Sequence, residues 1–162
     1  MNLIAMVDLE WGIGKDGKQP IFIKEDLARF KARTTGKTVI MGRKTLEALP
    51  GGRPLADRRN IILTHDKGFK VDGAEVVHSI EEVLAIAPED AFVIGGESVY
   101  RQLLPYCNKA YITTVFRKFA ADRFCPNLDK DKEWQLARLG CVRGDDIRAN
   151  GIAFCWDEYE RR

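Results

Sequence analysis

Two apolar runs of strand length in this chain each end on glycine and pass at once into a helical pattern. One is Val39-Ile40-Met41-Gly42-Arg43-Lys44-Thr45, the other Phe92-Val93-Ile94-Gly95-Gly96-Glu97-Ser98-Val99-Tyr100. Such a junction marks a buried strand that delivers the chain to a helix start. There, unpaired N–H groups and the positive dipole end attract an anion, and glycine permits its close approach. Strand-length runs also recur at Leu3–Val7, Thr38–Met41, Asn60–Leu63, Val76–Val77, Phe92–Ile94 and Ala110–Val115, while helical periodicity fits Lys24–Arg33, Lys44–Leu49, Ile80–Ala87 and Ser98–Leu104. The last third differs: Trp134–Val142 and Ile152–Tyr159 read as long strands joined across Arg143–Gly151, whose Asn150-Gly151 is turn chemistry. The pattern predicts an α/β fold, a largely parallel central sheet with helices on both faces and antiparallel edge strands from the terminal hairpin.

A chain of 162 residues without repeats, linkers or composition shifts reads as one domain, residues 1–162. Its 26 basic and 24 acidic residues leave a net charge of +2, which gives no global footprint for nucleic acid or anionic membrane. Any basic site is therefore local. The four cysteines are widely spaced and only His65 and His78 offer imidazole, so no metal site is expected and the thiols read as reduced packing groups. The apolar start is broken by Asp8 and Glu10, too short for a signal or a membrane span, and the expected location is the cytoplasm.

Gly12-Ile13-Gly14-Lys15-Asp16-Gly17 has the form of a dinucleotide fingerprint. Its glycines do not open a helix, because Lys18-Gln19-Pro20 prolongs an irregular segment and helical spacing starts near Lys24. The segment reads as a mobile surface loop able to close over a bound ligand. Beyond it, Ile23, Asp26, Leu27 and Phe30 share one helical face, so Asp26 lies on the side expected to meet the core. First-turn acids are favoured by the helix dipole without any function. A semi-apolar pocket would raise the carboxyl's pKa and suit it to share a proton with a substrate or to pair with an N–H/NH2 edge of a heterocycle. Arg43, Lys44 and Thr45, with no acid close by in the segment, favour a phosphate site. Paired glycines at Gly95-Gly96 point to close passage of a ligand. Arg53, Arg58 and Arg59 form a basic cluster that reads as a solvated loop or, more sharply, a carboxylate clamp. Arg143-Gly144-Asp145 imitates an adhesion tripeptide and carries almost no weight.

Together these segments resemble dihydrofolate reductase over nearly the full length. The resemblance is carried by Trp11-Gly12-Ile13-Gly14, Glu25-Asp26-Leu27-x-x-Phe30-Lys31, Val39 through Thr45, Arg53-Pro54-Leu55 with Arg58-x-Asn60, Val93-Ile94-Gly95-Gly96 with Val99-Tyr100, Tyr111-x-Thr113 and the terminal Phe154 to Arg162. It implies a mixed, mostly parallel eight-stranded sheet and NADPH-dependent reduction of dihydrofolate to tetrahydrofolate, serving one-carbon metabolism, with antifolates as further small-molecule ligands. By the same resemblance Asp26, supported by Thr113, would hold the pterin's amino-pyrimidine edge and assist protonation. Arg58 would grip the glutamate carboxylate. Leu27, Phe30, Leu55 and Ile94 would sandwich the pterin and its tail, and Ala5, Met6, Ile13, Gly14 and Tyr100 would line the pocket near the nicotinamide. Gly42, Arg43, Lys44, Thr45 and the turn Gly95-Gly96-Glu97-Ser98-Val99 would take the cofactor, together with Leu63, Thr64 and His65. The implied protein is a monomer that binds neither nucleic acid nor membrane.

Five positions depart from the family's pattern. An aromatic residue usually stands where this chain has Ile21, proline where it has Lys24, a basic residue near Ser98, small hydroxyls around Thr64-His65 where it has His65, and threonine at Arg123. Ile21 changes a packing surface beside Asp26, and Ser98 leaves NADPH preference to Arg43 with His65. Two alternatives accompany the reading: a pyrimidine reductase of riboflavin synthesis, against which Asp26 with Arg58 argues, and a folate-binding relative with weak turnover.

Overall fold

The computed structural model describes residues 1–141 and 151–162. Among these residues ten strands and four α-helices follow one another as β1 (Asn2–Val7), β2 (Gly12–Gly14), α1 (Lys24–Thr34), β3 (Thr38–Gly42), α2 (Arg43–Ala48), β4 (Arg59–Leu63), β5 (Ala74–Val77), α3 (Ile80–Ile86), β6 (Phe92–Gly95), α4 (Glu97–Leu103), β7 (Lys109–Val115), β8 (Arg123–Phe124), β9 (Trp134–Cys141) and β10 (Phe154–Arg161). The turn expected over Arg143–Gly151 lies outside the described residues except for Gly151, as do Val142 and the Arg143-Gly144-Asp145 tripeptide.

Eight strands form one sheet in the order β5-β4-β3-β6-β1-β7-β10-β9. Pairing is parallel from β5 through β7, and antiparallel where β10 joins β7 and β9. The expected mixed sheet is therefore present, with β9 at its edge and β10 second from it. Central strands are apolar on both faces, as a parallel sheet covered on both sides requires: Val39, Ile40, Met41, Ile61, Ile62 and Val93 are fully buried. Because the chain starts in the middle of the sheet at β1, moves outward through β3, β4 and β5, and returns at β6, the carboxyl ends of β1, β3 and β6 enclose a switch point, the usual place for a ligand in such sheets.

The structure corrects two expectations. Gly12–Gly14 is a short strand paired antiparallel with β8, so only Lys15–Gln19 behaves as an exposed loop. Gly12 is buried and a Cβ there would collide with the Ala121 methyl, which explains why this position holds glycine. The Asp8 carboxylate ties the segment down: Oδ1 accepts the Glu10 and Gly12 amides at 2.8 Å each and Oδ2 accepts the Phe119 amide at 3.0 Å. The second correction concerns α1, whose Asp26–Leu27–Phe30 face was expected to meet the core. The helix is instead anchored at its ends, by Ile23 packed with Val115, Ile152 and Phe154, and by Thr34. Its middle faces polar groups, and Leu27 is 47% exposed.

Candidate active site

Asp26 stands in the first turn of α1, over a row of side chains that strand register sets side by side. Met6 on β1 pairs with Thr113 on β7, and Thr113 pairs with Trp156 on β10, so all three project from the same level and face of the sheet. Thr113 Oγ1 donates to Asp26 Oδ1 at 2.5 Å, and Trp156 Nε1 donates to the same oxygen at 3.1 Å. Burial pushes the Asp26 carboxyl above its ordinary range; the two hydrogen bonds and the nearby Arg29 charge pull it partly back. A carboxyl raised in this way keeps its proton to a higher pH than an exposed aspartate does. Ile21 packs close by, with Met6, Phe119 and Trp156, against the small cluster around Ile23 and Phe154.

Arg58 reaches the other end of α1. Its Nη1 donates to Thr34 Oγ1 at 3.1 Å, its Nε to the Ala56 carbonyl at 2.8 Å, and the guanidinium lies 6.0 Å from the Phe30 ring. Among the described residues no carboxylate forms an ion pair with it, which leaves donors for an incoming anion. Leu55 beside it is fixed by Asn60, a buried amide that accepts the Leu55 N–H and donates to the Leu55 carbonyl, both at 2.9 Å. The expected three-arginine cluster is dispersed: Arg59, on the first position of β4, turns away to Glu75 and the Ile86 carbonyl. Strand alternation separates neighbours in sequence onto opposite faces.

The two glycine junctions meet. Because β3 and β6 are adjacent, the starts of α2 and α4 lie side by side: a Cβ on Gly95 (φ +129°) would stand 3.5 Å from Thr45 Oγ1 and 3.4 Å from Tyr100 Oη, and one on Gly96 3.4 Å from Thr45 Oγ1. The two glycines are joined by a cis peptide bond. Tyr100 in turn donates to the Ile4 carbonyl at 2.7 Å, which links α4 to β1 next to Ala5. Val99 packs on Gly42, where a Cβ would lie 3.2 Å from its Cγ2. Ile94 and Leu63 stand at the ends of their strands, Ile94 beside the smaller core cluster that also holds Leu55. Ile13 packs on the main core, and the Gly14 carbonyl accepts the Asp122 amide at 3.0 Å.

Arg43 corrects a further expectation. Acids do approach it: Nε donates to Glu47 at 2.9 Å, Nη1 to Asp66 at 2.9 Å, and the guanidinium stacks 4.4 Å from the Phe69 ring. Asp66 is brought in by the β3–β4 pairing from 23 residues away, where no local pattern would reveal it. Lys44 and His65 are exposed, whereas His78 places Nδ1 2.9 Å from the Thr64 carbonyl. Glu97 accepts the Phe124 amide at 2.9 Å and Ser98 accepts from Gln102, so both are engaged within the fold. Lys24 is an exposed opening residue of α1, and Arg123 lies in β8 opposite Gly14.

Comparison with known proteins decides the family. The dihydrofolate reductase family model matches residues 1–161. The chain is 41% identical to dihydrofolate reductase of Bacillus subtilis over 164 residues, covering all of this chain and 95% of that one, and 37% identical to that of Staphylococcus haemolyticus, covering 99% and 95%. Among solved structures, dihydrofolate reductase from Enterococcus faecalis, complexed with NADP(H) and RAB-propyl, superposes with a TM-score of 0.87 at 34% identity, over 99% of this chain and 95% of that one.

The chain belongs to the dihydrofolate reductase family.

Membership does not favour a pyrimidine reductase of riboflavin synthesis. It also lets the cofactor's fit be tested on this fold: a dihydrofolate reductase cofactor carries phosphates, and the glycine junctions together with Arg43, Lys44 and Thr45 offer side-chain-free backbone and cationic or hydroxyl donors beside one another, a donor set that suits it. The carboxylates on Arg43, and Glu97 at the start of α4, oppose an anion. Sequence reasoning assigned no site role to Trp156, Arg29, Asn60, Asp8 or Asp66, all of which act through contacts made by the fold. Among the described residues no helix is long and apolar enough to cross a membrane.

Proposed function

We propose that this chain reduces 7,8-dihydrofolate to tetrahydrofolate with NADPH, and that Asp26 is the carboxyl through which the substrate's proton passes. The observation that carries the site assignment is the Asp26 carboxylate, raised in pKa by burial and held, among the described residues, by Thr113 and Trp156 on Oδ1, which sets its orientation toward a pterin edge. The bound cofactor supplies the hydride. All else falls to the chain. Asp26 holds a proton at its carboxyl and orients the heterocycle; Leu27, Phe30, Leu55 and Ile94 offer apolar faces around the ring and its tail; Arg58 offers unpaired donors to a substrate carboxylate. Gly42, Arg43, Lys44, Thr45, Gly95 and Gly96 bind phosphates, with Leu63, Thr64, His65, Glu97, Ser98 and Val99 bordering them, while Ala5, Met6, Ile13, Gly14 and Tyr100 enclose the reacting end. Ile21 contributes packing and exclusion of water. The hairpin Lys15–Lys18, joined to the site through β2, is the segment placed to cover the bound ligands. The same reading makes the chain a single catalytic domain that works as a cytoplasmic monomer.

The test is loss of NADPH absorbance on adding dihydrofolate, run beside NADH and a ribosylamino-pyrimidine phosphate. Asp26→Asn is expected to lower turnover at neutral pH by about 10²-fold or more, the usual weight of a positioned acid, with NADPH affinity retained. Wild-type-like turnover in that variant would remove Asp26 from the mechanism. No oxidation with dihydrofolate, despite NADPH binding, would remove the substrate assignment.

A further inference from the structure

We propose that Trp156 is a positioning residue for Asp26, its indole N–H joining Thr113 on Oδ1 to fix how the carboxylate faces the substrate. The inference rests on the assignment of Asp26 as the proton-bearing carboxyl and adds a residue that reaches the site from a different part of the fold. A single donor such as Thr113 leaves a carboxylate free to turn about its terminal torsion, which is broad and roughly two-fold. Two donors from different strands, converging on one oxygen at 2.5 and 3.1 Å, fix the plane of the group.

The half-buried indole is itself held by two neighbours. Phe154 meets it at 5.4 Å between ring centroids, and the Arg29 guanidinium lies over it at 4.8 Å. Arg29 and Arg33 both reach Glu158 Oε1, at 3.7 and 3.0 Å, and Arg33 stacks on Tyr111 at 4.0 Å. Strand alternation puts Glu158 two residues from Trp156, on the same face of β10. Thus α1 is clamped to the strand that carries the indole by the very helix turn that follows Asp26. Ile21 packs in the same small cluster as Trp156 and has no polar atom to offer, so the aromatic N–H at this corner comes from β10. The other two indoles are differently placed: Trp11 packs edge-on against Tyr159, and the Trp134 N–H is buried without a partner. Charged and titratable groups on this face beside the pair are Arg29 and Arg33 on α1, Tyr111 on β7 and Glu158 on β10, while Asp157 points to the opposite face, where it meets Thr114. Of these, Arg29 is the one whose charge acts on Asp26.

A hydrogen bond to the ionised carboxylate favours that form, so removing the indole N–H raises the pH at which Asp26 gives up its proton. Trp156→Phe is therefore expected to move the alkaline limb of the kcat profile upward by about one to two pH units, the equivalent of one hydrogen bond to a charged group, with the NADPH dissociation constant within twofold of wild type. The conservative Arg29→Lys, which keeps the charge, is expected to leave the limb in place. A purely structural Trp156 would lower stability or kcat with the limb unmoved, and that result overturns the proposal. Should Trp156→Phe fail to fold, the wild-type protein decides: with ¹⁵N-labelled indoles, one of the three N–H resonances is expected to titrate between pH 4 and 9 and to stop titrating in Asp26→Asn. No titrating indole would overturn the proposal. Wild-type-like turnover of Asp26→Asn would instead overturn the assignment of the acid, so the two failures are distinguishable.

Discussion

At the scale of single residues, the site is a set of polar groups placed where the fold would rather have none. Asp26 illustrates the cost. Its carboxyl is raised in the folded state chiefly by burial, so the folded chain binds a proton more readily than the unfolded one does. The sign follows: the group's contribution to stability is fully present below the unfolded value near 3.8 and is lost as pH rises through the folded value. At pH 7 the ionised carboxylate is a net burden, and Asp26→Asn is expected to melt at a higher temperature than wild type there, with the difference closing at pH 3; equal melting curves at both pH values would contradict this. Arg58 shows the complementary economy of partners. Among the described residues it binds only neutral oxygens, so an incoming carboxylate displaces none of their carboxylates. Arg58→Gln is expected to raise KM for dihydrofolate by about 10- to 100-fold, the weight of one charge-assisted contact, while kcat stays within about threefold. A fall in kcat without a rise in KM would show that Arg58 acts on the reaction rather than on substrate retention.

At the scale of elements, the strand-to-glycine-to-helix junctions were legible because each is a local signal: an apolar run, a residue without a Cβ, and a helical pattern, all within about ten residues of sequence. The strands and helices of the sheet lie within two or three residues of where periodicity puts them. What periodicity could not reach was pairing. β2 and β8 are two or three residues long, too short for any period to register, and they exist because Asp8 gathers three amides around itself. Trp156 was readable only as part of a terminal strand, since its partner lies 130 residues away. The α1 face was misjudged for the reason that makes it functional: its spacing matches a core face, yet the sheet leaves it over a row of polar and aromatic groups. The same blindness hid Asp66. Its pairing with Arg43 neutralises a cation at the start of α2. Asp66→Asn is expected to tighten NADPH binding by up to about fivefold, within the range of an exposed ion pair. An unchanged dissociation constant at low salt would show that Arg43 is not part of the cofactor site.

At the scale of the whole molecule, the sheet is the device that brings distant segments to one place. β1 lies between β6 and β7, so the glycine junction on one side and Thr113 on the other are neighbours of the same central strand. The outer strands are locked to that centre by Arg161, which donates to the carbonyls of Cys107 and Leu104 and to Glu133 while covering the Trp134 ring. The bond from Trp156 to Asp26 also sets an order in time. During synthesis, at about 5 to 20 residues per second, the 130 residues that separate the two take roughly 6 to 26 s to emerge. Before that interval ends the residues of β1, β3, β6 and β7 are made, so Thr113 is available to Asp26 well before Trp156 is. On the proposed assignment, the residues that take the cofactor are therefore made before the second donor to Asp26, and a stalled fragment ending between them would carry the first without the second.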